Sequence, residues 1–475
     1  MFTNVEEAVR YIKEEEIEFI DLKLVDLKGR YRHLTIPAER LNEKLMRNGI
    51  GFDASNYGYA SVEKSDMVFY PDLQSAVLDP FTERKTVSML GDVYVIKEGD
   101  NIPFKQYPRN IVNAAIDHMK NLKIADEMII GPEFEFSVFD GMSYEISSNR
   151  IAYELYSEES EWSSAEIPSN GYHTLKKGGY HIDLPHDRNF DLRNEICAAL
   201  KHYGIAVKYH HHEVGGSGQQ EIEVELENML KLADDTMMIK YLVRNIAASH
   251  GVSATFMPKP IYDEAGNGMH VHMLLKKEGK NIFYEQGKYA NLSQTAMYFI
   301  GGLLSHVRSL CAFANPSTNS YKRLVPGFEA PVTIGFASAN RSAVIRIPSY
   351  AKSEDSVRFE LRNPDATGNP YFIYAAILMA GIDGIVHKID PYEHNWGPFD
   401  VNLYELSAEE KAKLEHLPVN LEEALTALEE DHDYLLAGDV FPEELLNNWM
   451  KMLRKDLSEI NGKPHPIEFK LYYDL

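Results

Sequence analysis

Carboxylates, imidazoles and guanidiniums recur in this sequence at a spacing of two, on segments that read as strands. Glu133 and Glu135 lie in Gly131-Pro132-Glu133-Phe134-Glu135-Phe136, His270 and His272 in Gly268-Met269-His270-Val271-His272, and Arg358, Glu360 and Arg362 in Val357-Arg358-Phe359-Glu360-Leu361-Arg362. The run His211-His212-Glu213-Val214-Gly215-Gly216-Ser217-Gly218-Gln219-Gln220-Glu221 adds Glu213 and Glu221. Side chains alternate faces along a strand, so Glu133 and Glu135 share one face while Phe134 and Phe136 turn to the other. At about 3.3 Å of rise per residue the two glutamates stand roughly 6.5 Å apart, close enough to serve two neighbouring cations. Any one of these segments alone is an ordinary solvated strand face. Three together, built from Glu, His and Arg rather than Lys, Thr and Ser, point to a polar lumen within a sheet.

Oxygen donors with imidazole and no thiolate favour Mg²⁺ or Mn²⁺ over zinc or copper. Arg323, Arg341, Arg346, Arg358 and Arg362 fall within 40 residues. Their guanidinium forks suit phosphate and carboxylate recognition, the alternative being a network of structural ion pairs. Metal ions beside an arginine clamp imply phosphoryl transfer. The glycine-rich stretch Gly215-Gly216-Ser217-Gly218 lacks the Lys-Ser/Thr of a Walker loop, so a nucleotide here would not be held by a P-loop.

The elements that must position these groups alternate strands with long helices. Helical periodicity predicts an N-terminal amphipathic helix over residues 4–16, with Val5, Ala8, Val9 and Ile12 inward, and further helices at 109–122, 189–203, 228–250, 292–314, 366–388, 420–436 and 441–458. Short strands are expected around 18–36. The proline-punctuated stretch Ile102-Pro103-Phe104-Lys105-Gln106-Tyr107-Pro108-Arg109 separates two domains, 1–103 and 104–475. Residues 140–179, polar and without clear periodicity, read as an excursion or interaction loop.

At 475 residues the chain exceeds one typical core, and 44% apolar composition is ample for burial. The formal charge of −24 argues against nucleic acid or an anionic membrane surface as the main partner. Cys197 and Cys311 are far apart and read as reduced, buried thiols. The acidic N-terminus is unlike a signal peptide and no stretch approaches 18 uninterrupted apolar residues, so the expected location is cytoplasmic.

Several motifs resemble class I glutamine synthetase: Phe52-Asp53-Ala54-Ser55, Gly131-Pro132-Glu133-Phe134-Glu135-Phe136, the His211 to Glu221 run, Phe256-Met257-Pro258-Lys259-Pro260, Gly268-Met269-His270-Val271-His272 and the long, highly specific stretch from Asn315 to Pro331. The resemblance covers essentially the whole chain. It implies an α+β protein, with a small N-terminal β-grasp-like domain followed by a large catalytic domain whose curved antiparallel sheet is flanked by helices. It implies ATP-dependent ligation of ammonia to L-glutamate through γ-glutamyl phosphate. Residue by residue, it makes Glu135, Glu213 and Glu221 ligands of one metal ion and Glu133, His270 and Glu360 ligands of another. Gly266, Arg323 and Arg362 would hold glutamate, and His272, Arg346 and Arg358 would contact ATP. Arg341 would stabilise the transferring phosphoryl group, Asp53 would deprotonate ammonium, Glu329 would shield the intermediate from a flap, and Tyr180 with Glu213 would complete the ammonium pocket. Two stacked hexameric rings with sites shared between subunits are implied, so that Asp53 would act in trans.

Asn402-Leu403-Tyr404-Glu405-Leu406 resembles the loop that an adenylyltransferase modifies in one subgroup, which would make Tyr404 a modification site. Departures from the family pattern fall at Ala54, Asn56, Ala265, Ala339 and Asp355. Two alternatives accompany the ligase reading: a relative that joins glutamate to an organic amine, suggested by the changed Ser55-Asn56 region and Ala265, and a catalytically inactive structural paralog.

Overall fold

The computed structural model describes residues 2–59, 65–97, 100–326, 330–338, 340, 342–400, 407, 409 and 412–473. The N-terminal part opens with helix α1 (Val5–Glu14), capped by the Asn4 side chain accepting from Glu7 N. Its inward side is narrower than its periodicity predicts, with Ala8 and Ile12 buried and Val5 and Val9 half-buried. Strands β1 (Phe19–Val25), β2 (Tyr31–Pro37), β3 (Ile50–Asp53), β4 (Asp66–Pro71), β5 (Val77–Leu78), β6 (Thr86–Met89), β7 (Gly91–Val95) and β8 (Ile102–Pro103), with helix α2 (Glu43–Asn48), follow. They form two four-stranded sheets, ordered β2-β1-β6-β5 and β3-β4-β7-β8.

Helix α3 (Pro108–Asn121) leads into the second part, Pro108 standing in its first turn where a missing N–H costs nothing. Arg109, in the same turn, is buried among three carboxylates. It donates to Asp72 at 2.6 Å and Asp92 at 2.9 Å from the N-terminal sheets, and to Asp234 at 3.2 Å on helix α5 (Met229–Ser249). Tyr371 on helix α8 (Pro370–His387) donates to the same Asp234 at 2.7 Å. One guanidinium thus ties β7 and the turn after β4 to the helices behind the large sheet; removing one partner of such a buried cluster leaves uncompensated charge.

The large sheet has ten strands and is centred on the 13-residue β9 (Glu127–Phe139). Its main order is β12-β13-β9-β16-β20-β19-β18, with β12 (Val207–His212), β13 (Gln219–Val224), β16 (Val271–Lys277), β18 (Thr333–Ser338), β19 (Ala343–Ile347) and β20 (Phe359–Leu361). The short β14 (Glu227–Asn228) and β15 (Ser253–Thr255) pair with β9, and β17 (Lys280–Asn281) with β16. Pairing is antiparallel except between β18 and β19. One face buries Phe134 and Phe136 completely; the other carries the acids.

Helices α4 (Phe190–His202), α6 (Gln294–Ala314) and α7 (Ser320–Arg323) complete the flanking layer. The expected 420–436 helix is two pieces, Leu421–Glu430 and Asp433–Leu436, because Asp431 leaves helical geometry at φ −138°, ψ 84°. The expected loop at 140–179 begins as an antiparallel hairpin, β10 (Gly141–Ile146) with β11 (Ile151–Tyr156). Its strands alternate weakly because both faces are open, which hid them. Cys311 is buried, whereas Cys197 is only half-buried.

Helices α6 and α8 are long and apolar enough to cross a membrane, yet most of each lies inside the fold. They meet at backbone contact: a Cβ on Gly302 would stand 2.1 Å from the Ala380 carbonyl. His306 on α6 makes the polar exception. Its Nε2 lies 3.0 Å from Asp383 on α8 and its Nδ1 2.9 Å from Asp431, with the ring stacked on Tyr434. Burial opposes the charged ring, but the hydrogen bonds to Asp383 and Asp431 outweigh it and push the pKa up to about 9. Because the folded state binds this proton more tightly than the unfolded chain, the stabilisation is full below an unfolded pKa near 6.5 and is lost as pH rises through about 9. Between pH 6.5 and 9.5 the unfolding free energy from denaturant titration should therefore fall by on the order of 2 kcal/mol, and His306→Gln should flatten that fall. A wild-type profile that is flat or rising across this range would contradict the assignment.

Candidate functional site

Strand register gathers the chemical residues on one face of the large sheet. Across β12, β13 and β9 the pairing sets His211 opposite Glu221 and Glu221 opposite Glu135. Across β16, β20 and β19 it sets His272 opposite Glu360 and Glu360 opposite Arg346. Directly opposed residues on neighbouring strands place their Cβ atoms about 5 Å apart, so each row is a contact chain. The rows are joined where Glu133 N donates to His270 O at 2.9 Å and Glu135 N to Gly268 O at 3.2 Å.

The acid-rich face lines a cavity of about 250 Å³. Glu133, Glu135, Tyr180, Glu213, Glu221, Gly266, His270, Arg323, Arg346 and Arg362, ten residues singled out from sequence, lie on its wall. Glu133 is the hub of one half: its two oxygens lie 2.8 Å from His270 Nδ1 and 2.8 Å from His272 Nε2. His272 Nε2 also lies 3.2 Å from Glu360, which is fully buried and accepts from Arg346 at 3.1 Å and from Arg362. Burial alone would raise the Glu133 carboxyl, but hydrogen bonds from His270 and His272 overcome it and hold it well below the usual carboxylate range. Glu360 is lowered in the same way, with His272 and then Arg362 overcoming burial.

The other half has the opposite balance. Burial, followed by the charges of Glu133, Glu135 and Glu213, pushes the Glu221 carboxyl well above its ordinary range. His211 stands 3.5 Å from Glu213 and 3.7 Å from Glu221, and burial pushes its own pKa down, which favours the neutral, ligating imidazole. In each of two triads, Glu133/His272/Glu360 and His211/Glu213/Glu221, one donor atom per residue lies within 4.8 Å of the others. Oxygen-rich donors with excess negative charge fit hard divalent cations. His272, which the resemblance assigns to ATP, borders this acid cluster. His211 is a residue the sequence reading missed, although it stands two positions from Glu213 on the same alternation.

Beside His270, Arg323 is buried, its Nη2 3.4 Å from His270 Nε2, with Nη1 donating to Asn363 O at 2.8 Å and Nη2 to Arg362 O at 3.0 Å. Gly268 admits it: a Cβ there would lie 2.4 Å from Arg323 Nη2. Gly266, whose carbonyl accepts from Gln219 at 3.0 Å, and Ala265 face the same space. Arg358 does not line this cavity; it donates to Ser356 O at 3.0 Å and lies over the Tyr350 ring. Asp53 lies at the end of β3, exposed, and is not on the cavity wall of the single chain. The Ser55 N–H, at 2.9 Å, and then the Ser65 side chain lower its pKa, keeping it ionised. Glu329, Arg341 and Tyr404 lie outside the described residues. Such a cavity can bind metal ions at its carboxylates and anionic groups at the adjoining arginines, the arrangement required to move a phosphoryl group between acidic partners.

Comparison with known proteins accounts for both parts of the chain. Residues 105–472 match the family model described as glutamine synthetase, catalytic domain, and residues 16–96 match glutamine synthetase, beta-Grasp domain. The chain is 44% identical to the glutamine synthetase of Frankia alni, with 100% of each chain covered, and 43% identical to that of Aquifex aeolicus, with 99% of each covered. Among solved structures, a cryo-EM glutamine synthetase of Plasmodium falciparum superposes with a TM-score of 0.89 at 29% identity over 99% of both chains. A ligand-free structure of a protein named GmaS gives 0.80 at 30% identity, over 98% of this chain and 99% of that one. With both family models and full-length relatives in agreement, the chain belongs to the glutamine synthetase family.

Proposed function

We propose that the protein is a glutamate–ammonia ligase, joining ammonia to the γ-carboxylate of L-glutamate with ATP hydrolysed to ADP and phosphate. The observation that carries this reading is the cavity in which Glu133, Glu135, Glu213 and Glu221 share the wall with Arg323, Arg346 and Arg362, the last two bonded to the buried Glu360. A carboxylate resists attack by an amine because its leaving group would be oxide, so it must first be phosphorylated to γ-glutamyl phosphate. Arg323 and Arg362, with the Gly266 main chain, hold glutamate. Arg346, Arg358 and His272 face the nucleotide, and Arg341 neutralises charge on the phosphoryl oxygens. Two Mg²⁺ or Mn²⁺ ions, held by Glu135, Glu213 and Glu221 and by Glu133, His270 and Glu360, supply Lewis-acid neutralisation of phosphate charge when bound. Tyr180 and Glu213 frame the ammonium pocket, Asp53 takes the proton that makes ammonia nucleophilic, and Glu329 closes over the acyl phosphate to exclude water.

The position of Asp53 away from the single chain's cavity supports a shared site, with Asp53 acting on a neighbouring subunit in two stacked hexameric rings. The 1–103 segment is then the lending domain and 104–475 the catalytic one. Tyr404 serves as the acceptor for an AMP group from an adenylyltransferase, and the enzyme works in the cytoplasm. Ala265 on the cavity wall favours a second reading, an organic amine as acceptor. Phosphate release with ATP and glutamate, comparing ammonium with a panel of primary amines, separates the two: the ligase reading requires ammonium to give the highest kcat/KM, and a preferred amine would displace it.

Turnover should require Mg²⁺ or Mn²⁺ and stop in a chelator. Glu133→Ala and Glu221→Ala should each abolish product formation with the oligomer, followed by light scattering, intact. Full activity in both variants would defeat the metal assignment.

Asp53→Ala should lower glutamine formation by about 10² or more, the usual scale for a lost general base. Mixed oligomers of Asp53→Ala and Arg362→Ala subunits should recover part of the activity, since some sites then combine intact contributions from both chains. Verified mixed oligomers with no recovery would place Asp53 in its own subunit's site or outside catalysis.

A further inference from the structure

A second cleft, of roughly 1190 Å³, opens between the β1–β2 sheet and helix α5. Its charges divide into two groups. Lys23 is paired with Asp21 at 3.0 Å and Asp79 at 3.4 Å, Lys28 with Asp456, and Arg84 with Glu18 at 3.2 Å. Asp21 and Asp79 are engaged further by His33 and by Tyr241, leaving Glu83 as an exposed carboxylate at the rim. Arg30, Lys240 and Arg244 have no ion pair among the described residues. Lys240 is buried on the floor, its amine donating to Ala366 O at 2.7 Å, while Arg30 and Arg244 stand exposed above it. The Arg244 guanidinium lies 5.5 Å from the Phe256 ring centroid, an aromatic face but not a counter-charge. Asn245 and Thr367 add neutral polar groups to the wall.

Three cations around one cleft repel one another, and the protein itself supplies little to offset this. Burial, then Arg244, then Arg30 against the opposing pull of Asp365, push the Lys240 amine down to about 7. Burial and Arg30 likewise lower Arg244. The floor also touches the site already described from behind. Ala366 ends the loop whose Asn363 and Pro364 carbonyls hold Arg323 at 2.8 and 3.3 Å.

We propose that this cleft is a binding site for a small anionic metabolite, which places a carboxylate or phosphate group between Arg30, Lys240 and Arg244. Lys and Arg donors converging on one anion form charge-assisted hydrogen bonds, and the cleft has room for a small ligand. Binding braces the Lys240 contact to Ala366 from the side opposite the catalytic cavity.

The test is calorimetric titration of the full chain, free of metal and nucleotide, with inorganic phosphate and with succinate. The tighter of the two identifies the anionic group. Arg30→Gln and Arg244→Gln, both at exposed positions, should each weaken binding by about tenfold or more, the scale of one lost charge-assisted hydrogen bond. Arg346→Gln, in the catalytic cavity, should leave the affinity as it is. At pH 8 the wild-type heat should depend on buffer ionisation enthalpy with proton uptake, as Lys240 recharges against the anion, and Lys240→Met should remove that dependence. Unchanged affinity in both arginine variants, loss in Arg346→Gln alone, or no binding of either probe overturns the proposal. The last is the result expected if acidic side chains of a second copy fill the cleft.

Discussion

Repulsion between like charges is the constraint around which this structure is arranged. Five glutamates converge on one face of the large sheet, four of them on its strands and Glu221 directly opposite Glu135, and no folded chain would hold them there without compensation. The protein compensates unevenly. Around Glu133 and Glu360 two imidazoles and two guanidiniums donate hydrogen bonds, and both carboxyls stay ionised. Around Glu221 the neighbours are mostly other acids, and its carboxyl is pushed toward the protonated form. One half of the cavity is therefore balanced from within, and the other is left to be balanced by cations from outside. The sheet behind, with Phe134 and Phe136 fully buried, supplies the rigidity that keeps the acids from spreading.

The rest of the scaffold holds reference points for that face. Arg109 joins Asp72, Asp92 and Asp234, so the β3-β4-β7-β8 sheet is tied to the helices beneath the large sheet at a charged knot. The end of β3, carrying Asp53, is thereby presented outward at a set position rather than on a swinging arm. The loop from Arg362 to Thr367 is similarly held from two sides, by Arg323 on the catalytic side and by Lys240 on the other.

How much of this was legible in the sequence depends on the range of the interaction. Alternation along one strand is local, and the shared faces of Glu133 with Glu135 and of His270 with His272 follow from it directly. Which strand lies beside which is not local. The opposition of His211 and Glu221 depends on the tight return between β12 and β13, where Gly218 adopts φ +75°, and nothing in the spacing of Glu213 and Glu221 announces it. Helices with a strong apolar side were located to within a few residues, whereas the break at Asp431 follows from the polar cluster it makes with His306 on a distant helix. The hairpin at 141–156 escaped because both of its faces are exposed, so burial imposed no alternation on it. The second cleft escaped for a different reason: Arg30, Lys240 and Arg244 belong to elements of different domains, and none of them stands in a motif.

The backbone contact between α6 and α8 bears on how the chain is made. Both helices emerge from the ribosome as nearly continuous apolar cylinders, and their small residues leave each dependent on the other for cover. Their outer side is closed by Trp449, on the helix Glu443–Asn461, which stacks on Phe313 and meets Phe372 edge-on while its indole N–H donates to Ala312 O. At ordinary rates of synthesis the interval between completing α6 and adding Trp449 is on the order of ten seconds. For that interval the side of α6 and α8 that Trp449 covers stays open, which makes the nascent chain a natural client for a holding chaperone.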